Sequence, residues 1–534
     1  MKKLTLKMRL LGGLTIVSML FAASCAQGVD DETFSAGVTN AQLESPELNE
    51  DSFGVVTDVV TGNEVIQVTW PVVLGAEGYW FTATKTGRWS EGKLQPVTPE
   101  PVMFDDKTEK EVEGCSTTFP AEYGCEYEVA ITTIGSKKLN NQDALSAATC
   151  KYLYYTPPTF IPALDKNGNP TILDKVILAS FDPARPKSRA VFLLEPDGQY
   201  QINAELSLGL HETQIYPAVW NESKGDYDAV ETHATITFGA DEEAGTEGAL
   251  LTATGLTLKN LNFDCTKLKS TALIAMDGKQ TGAPLTKGGQ MYCDKPIVIE
   301  SCWVKELAAS ILNVNNSVWG ISEFNINNSI IQLNLKEDAT MKTFICGHAN
   351  GKGLINGVNY DASTVSATWY GGVFKTMINN STIYSRVVPG GSSYFARWNN
   401  PDVAKVFGSY EGGYFRIMNS TICRMMAKKD FANNIPKNSA YEYGLENCVF
   451  YDVYRLQKLK YGATNTTKKE TNTTWGVSKS VDDTDKKEFA IVENPGFTDE
   501  NLNAILDFSK PNGGVNFKAT GTISSTVGDP RWLK

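Results

Sequence analysis

The sequence predicts an all-β chain, a small β-sandwich followed by a β-solenoid, and three observations carry that expectation. The first is a spaced pattern found six times between Leu256 and Phe450: apolar, any, apolar, any, Asn or Ser, small or apolar, any, apolar. The second is the repeat-sized spacing of its fifth position. The third is a set of alternating strands closed by turn residues, which ends before Pro157 and Pro158.

The six copies align without a gap: Leu256, Leu258, Asn260, Phe263; Ile297, Ile299, Ser301, Val304; Phe324, Ile326, Asn328, Ile331; Thr376, Ile378, Asn380, Ile383; Phe415, Ile417, Asn419, Ile422; and Tyr443, Leu445, Asn447, Phe450. Alternation with period two puts the first two apolar residues of each copy on one strand face. The fifth-position residue marks a corner, because Asn tolerates turn dihedrals. An amide both donates and accepts, so Asn260, Ser301, Asn328, Asn380, Asn419 and Asn447 are expected to stack as an interior hydrogen-bonded ladder. Their separations are 41, 27, 52, 39 and 28 residues, which fits a coil of about 25 residues carrying insertions. Each coil of such an array buries its inner face only against its neighbours.

Ahead of the solenoid, "VIQVTWPVVLGAEGYWFTATK", "YGCEYEVAITTIG" and "SAATCKYLYY" read as strands of a small β-domain. Trp70 on an early strand, Tyr127 after "FPAEYG" and the "LSAAT" entry into the last strand resemble a fibronectin type III module. The expected domains are a leader over residues 1–24, an acidic tether over 25–45, the sandwich over 46–157 and the solenoid over 158–534.

The leader has the layout of a secretory signal. Lys2, Lys3, Lys7 and Arg9 precede an apolar stretch from Leu10 to Ala23, too short and too early for a membrane span. The small residues of "FAASC" resemble the lipobox of bacterial lipoproteins, which makes Cys25 the expected lipidation site; Ala22 stands where Leu is usual. Asp30, Asp31 and Glu32 follow and resemble an export signal of glycan-foraging Gram-negative bacteria. The expected location is the outer membrane, lipid-anchored and facing the exterior. Removing the leader takes away four cations and no acids, moving the formal charge from −12 to −16, so nucleic acid is not an expected partner.

Ten cysteines leave nine once Cys25 is set aside, so at least one is unpaired within a monomer. Cys302 and Cys448 follow the corner position, where other copies have Ser329, Ser381 and Ser420, and read as small stacked residues. Cys125 and Cys150 are candidate cross-strand neighbours. The three histidines, His211, His233 and His348, have no metal-ligand spacing.

With "NPGF" and the terminal "VGDPRWLK", residues 158–534 resemble the pectin-lyase-like right-handed, single-stranded parallel β-helix superfamily, in particular lipoproteins of polysaccharide-utilisation systems with a fibronectin-like front domain. That resemblance implies a terminal segment lying across the last coil, with Trp532 shielding its open strand edges. The superfamily holds lyases, polygalacturonases and binding proteins, so the site must decide the activity. A polygalacturonase-like site needs Asp residues on adjacent coils, and none is present in that form; His348 reads as a loop histidine. No catalytic or metal-binding residue is assigned, and no cofactor is expected, with calcium considered only for a lyase.

The outward residues before the corner are Lys259, Glu300, Asn327, Asn379, Met418 and Glu446; those four positions after it are Asp264, Lys305, Gln332, Tyr384, Cys423 and Tyr451. They read as a mixed, solvated face. The insertions between the third and fifth copies concentrate Trp369, Tyr370, Tyr384, Arg386, Tyr394, Arg397, Trp398, Tyr410 and Tyr414. Flat rings stack on sugar faces and arginine forks pair with carboxylates, so these residues are the glycan-binding candidates, with packing of the loops onto the coils as the other reading. The expected function is an outer-surface lipoprotein that binds a polysaccharide or oligosaccharide, pectin-like and uronate-containing, beside outer-membrane glycan-uptake proteins. The alternatives are a polysaccharide lyase or glycosidase on acidic plant-type glycan, and a non-catalytic structural or adhesive surface protein.

Overall fold

The computed structural model describes residues 38–533 apart from 59–60, 62, 91–92, 184, 242–245, 286–290, 315–318, 335–342, 348–351, 356–357, 362–370, 388–393, 399–403, 427–430, 437, 454–466, 477–489, 493 and 521–525. Cys25, His348, Trp369 and Tyr370 lie outside the described residues. The chain forms two compact units, one of residues up to Thr156 together with Asn221–Asp226 and the other of Pro157–Trp220 and the residues from Tyr227 on; the paired prolines stand at the main boundary.

The first unit is an antiparallel sandwich. One sheet joins Phe53–Thr57, Glu64–Thr69 and Ser116–Phe119; the other runs in the order Lys93–Pro101, Ala76–Ser90, Cys125–Gly135, Ala148–Tyr154. Ile66, Val68 and Phe119 of the first sheet meet Tyr79, Phe81, Val129 and Ile131 of the second in one core. Trp70 packs edge-on to Tyr79, with centroids 5.4 Å apart. The Tyr127 hydroxyl accepts a 2.8 Å hydrogen bond from the main-chain N–H of Glu122, the upstream contact expected of a tyrosine corner. The tether ends earlier than the sequence suggests. The Asn40 N–H already donates to Leu139 O and the Ala41 N–H to the Asn141 side chain, because a loop rich in Asn supplies partners that hydropathy does not reveal. Cys125 stands opposite Tyr154, and Cys150 opposite Val129. The two thiols are therefore not cross-strand neighbours, and Cys125, Cys150, Cys265, Cys293, Cys302, Cys423 and Cys448 carry free thiols.

The second unit is a parallel β-helix. Three sheets built of parallel strands line it, with twelve, eleven and seven strands among the described residues, two of the twelve lying off the main path; the seven-stranded sheet ends at Ala432–Asn433. Each full coil visits them in turn. In one coil the chain passes along sheet I at Leu256–Lys259, sheet II at Leu261–Asp264 and sheet III at Ala272–Met276, then rejoins sheet I at Ile297–Glu300. Successive copies of the pattern are in register: Leu258, Ile299, Ile326, Ile378, Ile417 and Leu445 follow one another along sheet I. All six are buried, as are Phe263, Val304, Ile331, Ile383, Ile422 and Phe450 on sheet II. The apolar positions face the lumen, and removing them from water drives the stacking.

The ladder lies one position later than expected. Asn260, Ser301, Asn328, Asn380, Asn419 and Asn447 all have φ between 45° and 53°, the left-handed region that Asn tolerates better than other residues carrying a side chain. That conformation turns the chain from sheet I to sheet II and leaves the side chain at the rim, except at Asn260, which is buried and donates to Val230 O. Asn328 is exposed, and Asn380, Asn419 and Asn447 are half-buried. Their amides still bridge coils, Asn447 Nδ2 to Asn419 Oδ1 at 3.2 Å and Asn328 Nδ2 to Ser301 Oγ at 2.9 Å, but Asn419 reaches Asn379 rather than Asn380. The interior ladder is the next column. Main-chain N–H groups of Cys302, Ser329 and Ser381 donate to the hydroxyls of Ser329, Ser381 and Ser420, at 3.1 to 3.2 Å. Each hydroxyl in turn donates to the carbonyl two residues before it, at 2.6 to 2.7 Å. Cys302 and Cys448 continue this buried column as read from the sequence. Asn472 adds a seventh corner at φ 48°; Lys468 and Glu470 stand in register with Tyr443 and Leu445 there, so an apolar template does not find it.

The terminal segment also departs from expectation. Residues 494–520 and 526–533 run along the outside of sheet II instead of closing the last coil. Phe497, Leu506, Phe517 and Trp532 pack on the outward side chains of Ile330, Tyr384, Cys423, Val449 and Tyr451. Arg531 donates to the carbonyls of Ser329 and Asn380 at 3.0 and 2.7 Å, and Asp529 accepts from Thr382 Oγ1 at 2.7 Å. The outward column after the corner is half-buried at Asp264 and Lys305, which pair at 3.3 Å with Lys305 Nζ 5.9 Å from the Phe508 ring centroid, and fully covered at Gln332, Tyr384 and Cys423. Among the described residues no helix is long and apolar enough to cross a membrane.

Candidate functional site

The glycan-binding candidates do not form one surface. Tyr384 is fully buried: its hydroxyl accepts from Gln332 Nε2 at 2.7 Å and donates to Ala504 O at 3.1 Å, tying sheet II to the terminal strap. Burial also pushes its phenol pKa well up. Trp398 is fully buried too. Residues Ala396–Trp398, expected in an insertion loop, are a sheet III strand paired with Ile345–Gly347 and Ala432–Asn433. A three-residue strand shows too little alternation to be recognised. Its indole fits because a Cβ at Gly347 would lie 3.0 Å from Trp398 Cε3. Neighbouring Phe395 stacks between Phe344 and Phe431, with centroids 5.0 and 4.4 Å away. Neither Tyr384 nor Trp398 has a face to offer a sugar, and both are corrected to packing residues.

The remaining described candidates, Arg386, Tyr394, Arg397, Tyr410 and Tyr414, are half-buried. Tyr394 packs against the core, with the Arg397 guanidinium 5.4 Å from its ring centroid. Tyr410 packs against the same core. Arg386 follows the sheet II strand Thr382–Ser385. Among the described candidates, Tyr414 alone lies on a regular strand at an outward position of sheet I.

That outer face holds the best-defined polar arrangement on the solenoid. Alternation on Tyr414–Met418 turns Phe415 and Ile417 inward and Tyr414, Arg416 and Met418 outward. Lys375, Tyr414 and Glu442 are register partners on three consecutive strands, and Met377, Arg416 and Gly444 form the next row. The Arg416 guanidinium lies 4.7 Å from the Tyr414 ring centroid. Its Nε and Nη2 donate to the two carboxylate oxygens of Glu442 at 2.6 and 2.7 Å, a two-point charged contact that fixes both planes. Gly444 permits this, since a Cβ there would stand 3.0 Å from Arg416 Cγ. The hydrogen bond to the Glu442 carboxylate raises the Arg416 pKa, and burial raises that of Tyr414.

Along the same face Asn325 Nδ2 donates to Glu323 Oε1 at 2.7 Å, and Lys259 pairs with Glu300 at 2.8 Å. Arg416 and Glu442 were missed in the sequence because the outward column was read only at the position before the corner. Stepping back by two and by four reaches both. Among the described residues no group of three or more His, Cys, Asp or Glu side chains is placed to hold a metal ion.

Residues 1–156, which include the sandwich, match a domain of unknown function, DUF4992, and residues 229–368, in the first half of the solenoid, match a second, DUF4957. No curated protein and no solved structure matches the chain.

Proposed function

We propose that the protein is a lipid-anchored surface protein of a glycan-acquisition system that binds polysaccharide along the outer face of sheet I. The observation that carries the reading is the half-buried Tyr414 ring held beside Arg416, itself fixed by Glu442. A ring whose orientation is set before binding loses little freedom when it stacks on a sugar. Stacked parallel strands repeat about every 4.8 Å, so the face offers a polymer a row of similar positions. The lipobox-like leader supports attachment through Cys25 to the outer membrane, exposed to the exterior and beside glycan-uptake proteins.

The test is affinity electrophoresis of protein lacking the leader in gels that contain polysaccharides, paired with absorbance assays for unsaturated product. Retardation that weakens in Tyr414→Ala, without product, supports binding. Product that grows with time and vanishes on changing Lys375 or Arg416 replaces this reading with a lyase. Absence of retardation in any gel removes it.

A further inference from the structure

The charges on the outer face of sheet I bear on which glycan it suits. Lys259 is bound by Glu300 of the next coil, and Arg416 spends both prongs of its fork on Glu442. Lys375 has Glu323 as its register partner. Together with Glu446, the face carries three cations against four carboxylates between Leu256 and Glu446 among its described outward residues, a net charge of −1.

A uronate approaching Arg416 meets a guanidinium whose Nε and Nη2 already face a carboxylate, and it brings a second negative charge beside Glu442. Carboxylates that share a site repel. The remaining outward groups include the phenol of Tyr414, the amides of Asn325, Asn327 and Asn379, the thioethers of Met377 and Met418, and the side chains of Thr257 and Val298. These are neutral, and hydroxyls suit amides because each can both donate and accept.

We infer that the ligand of this face is an uncharged, hydroxyl-rich glycan, in place of the uronate polymer expected from sequence. The inference rests on the glycan-binding reading above. Arg416 and Glu442 act as positioning residues that hold the Tyr414 ring, and the pair neutralises itself in doing so.

The experiment compares retardation in gels of neutral galactomannan, neutral xyloglucan and polygalacturonate at low and high salt, for wild type, Tyr414→Ala and Glu442→Gln. The expected result is retardation by a neutral polymer that salt leaves unchanged, since screening acts on charged contacts. Tyr414→Ala weakens it by roughly tenfold or more. Glu442→Gln creates no gain for polygalacturonate. Salt-sensitive retention by polygalacturonate alone, strengthened in Glu442→Gln as Arg416 is released, overturns the neutral-ligand inference and leaves glycan binding standing. Retardation by none of the three polymers overturns both.

Discussion

The main-chain N–H of Ser329 donates to the Ser381 hydroxyl at 3.1 Å, across one full coil. Ser381 Oγ donates in turn to Asn379 O at 2.7 Å, while the Ser381 N–H donates to Ser420 Oγ at 3.2 Å. Each serine thus satisfies two backbone groups inside the solenoid that water does not reach. Ser329, Ser381 and Ser420 are all fully buried.

Replacing Ser381 with Ala leaves the Ser329 N–H unpaired and is expected to destabilise by about 1–3 kcal/mol. Asn380→Leu acts differently, through a left-handed backbone that a branched side chain resists, and is expected to cost about 1–2 kcal/mol. Asn380→Gly should be nearly neutral, because glycine adopts that conformation freely. Chemical denaturation of the three variants separates the two columns. A Ser381→Ala variant as stable as wild type would show that the inner column is dispensable.

A buried ion pair helps hold the terminal strap. Asp529 is 1 % exposed and pairs with Arg531 at 2.7 Å. Arg531→Leu strands that carboxylate and removes the bonds to Ser329 and Asn380, with an expected loss of about 3–5 kcal/mol. Arg531→Leu combined with Asp529→Asn should recover part of it. Equal stability of the single and double variants in denaturant titrations would refute the buried-charge account.

Burial pushes the Cys293, Cys302 and Cys448 thiols up to about 12, and Cys265 and Cys423 well above the ordinary thiol value. A thiol whose pKa is raised stays protonated at pH 8, and the thiolate is the nucleophile. Iodoacetamide at that pH should label the half-buried Cys150 in native protein and spare these five until the chain unfolds. Mass spectrometry that finds native Cys302 labelled as fast as Cys150 would contradict the packed column.

Cys25 is expected to carry lipid. Labelled palmitate should enter wild-type protein in cells and not the Cys25→Ala variant, which should leave the membrane fraction. Label retained by that variant would end the lipoprotein assignment.

The solenoid was legible because one physical demand, apolar residues toward the lumen at a fixed offset from a left-handed corner, recurs at six described corners. Sheet III was not. Its strands at Ile345–Gly347 and Ala396–Trp398 are three residues long, too short for period two to show, so their aromatics read as loop decoration. The strap was misplaced for a related reason. Tyr384, Cys423 and Tyr451 were correctly read as outward, but which later segment covers an outward face depends on tertiary contact that spacing does not encode. At the candidate site Tyr414 was found through composition, whereas Arg416 and Glu442 become visible only when neighbouring strands are set in register.

The sharpest separation of packing from binding sets Trp398 against Tyr414. The Trp398 indole is fully buried, and its N–H has no hydrogen-bond partner among the described residues. Trp398→Phe opens a small void but also removes an unpaired buried donor, so the two effects oppose and the net change should stay within about 1 kcal/mol. Glycan retention should not change, because no face of that ring reaches solvent. Tyr414→Ala removes a half-exposed ring and leaves Arg416 paired with Glu442, so its fold should persist while retention falls by about 1–3 kcal/mol. Circular dichroism and melting curves on both variants establish that each is folded before electrophoresis is compared. Loss of retention in a folded Trp398→Phe with Tyr414→Ala unaffected would move the binding surface away from sheet I. Loss in Tyr414→Ala alone is the outcome that the geometry of Tyr414, Arg416 and Glu442 requires.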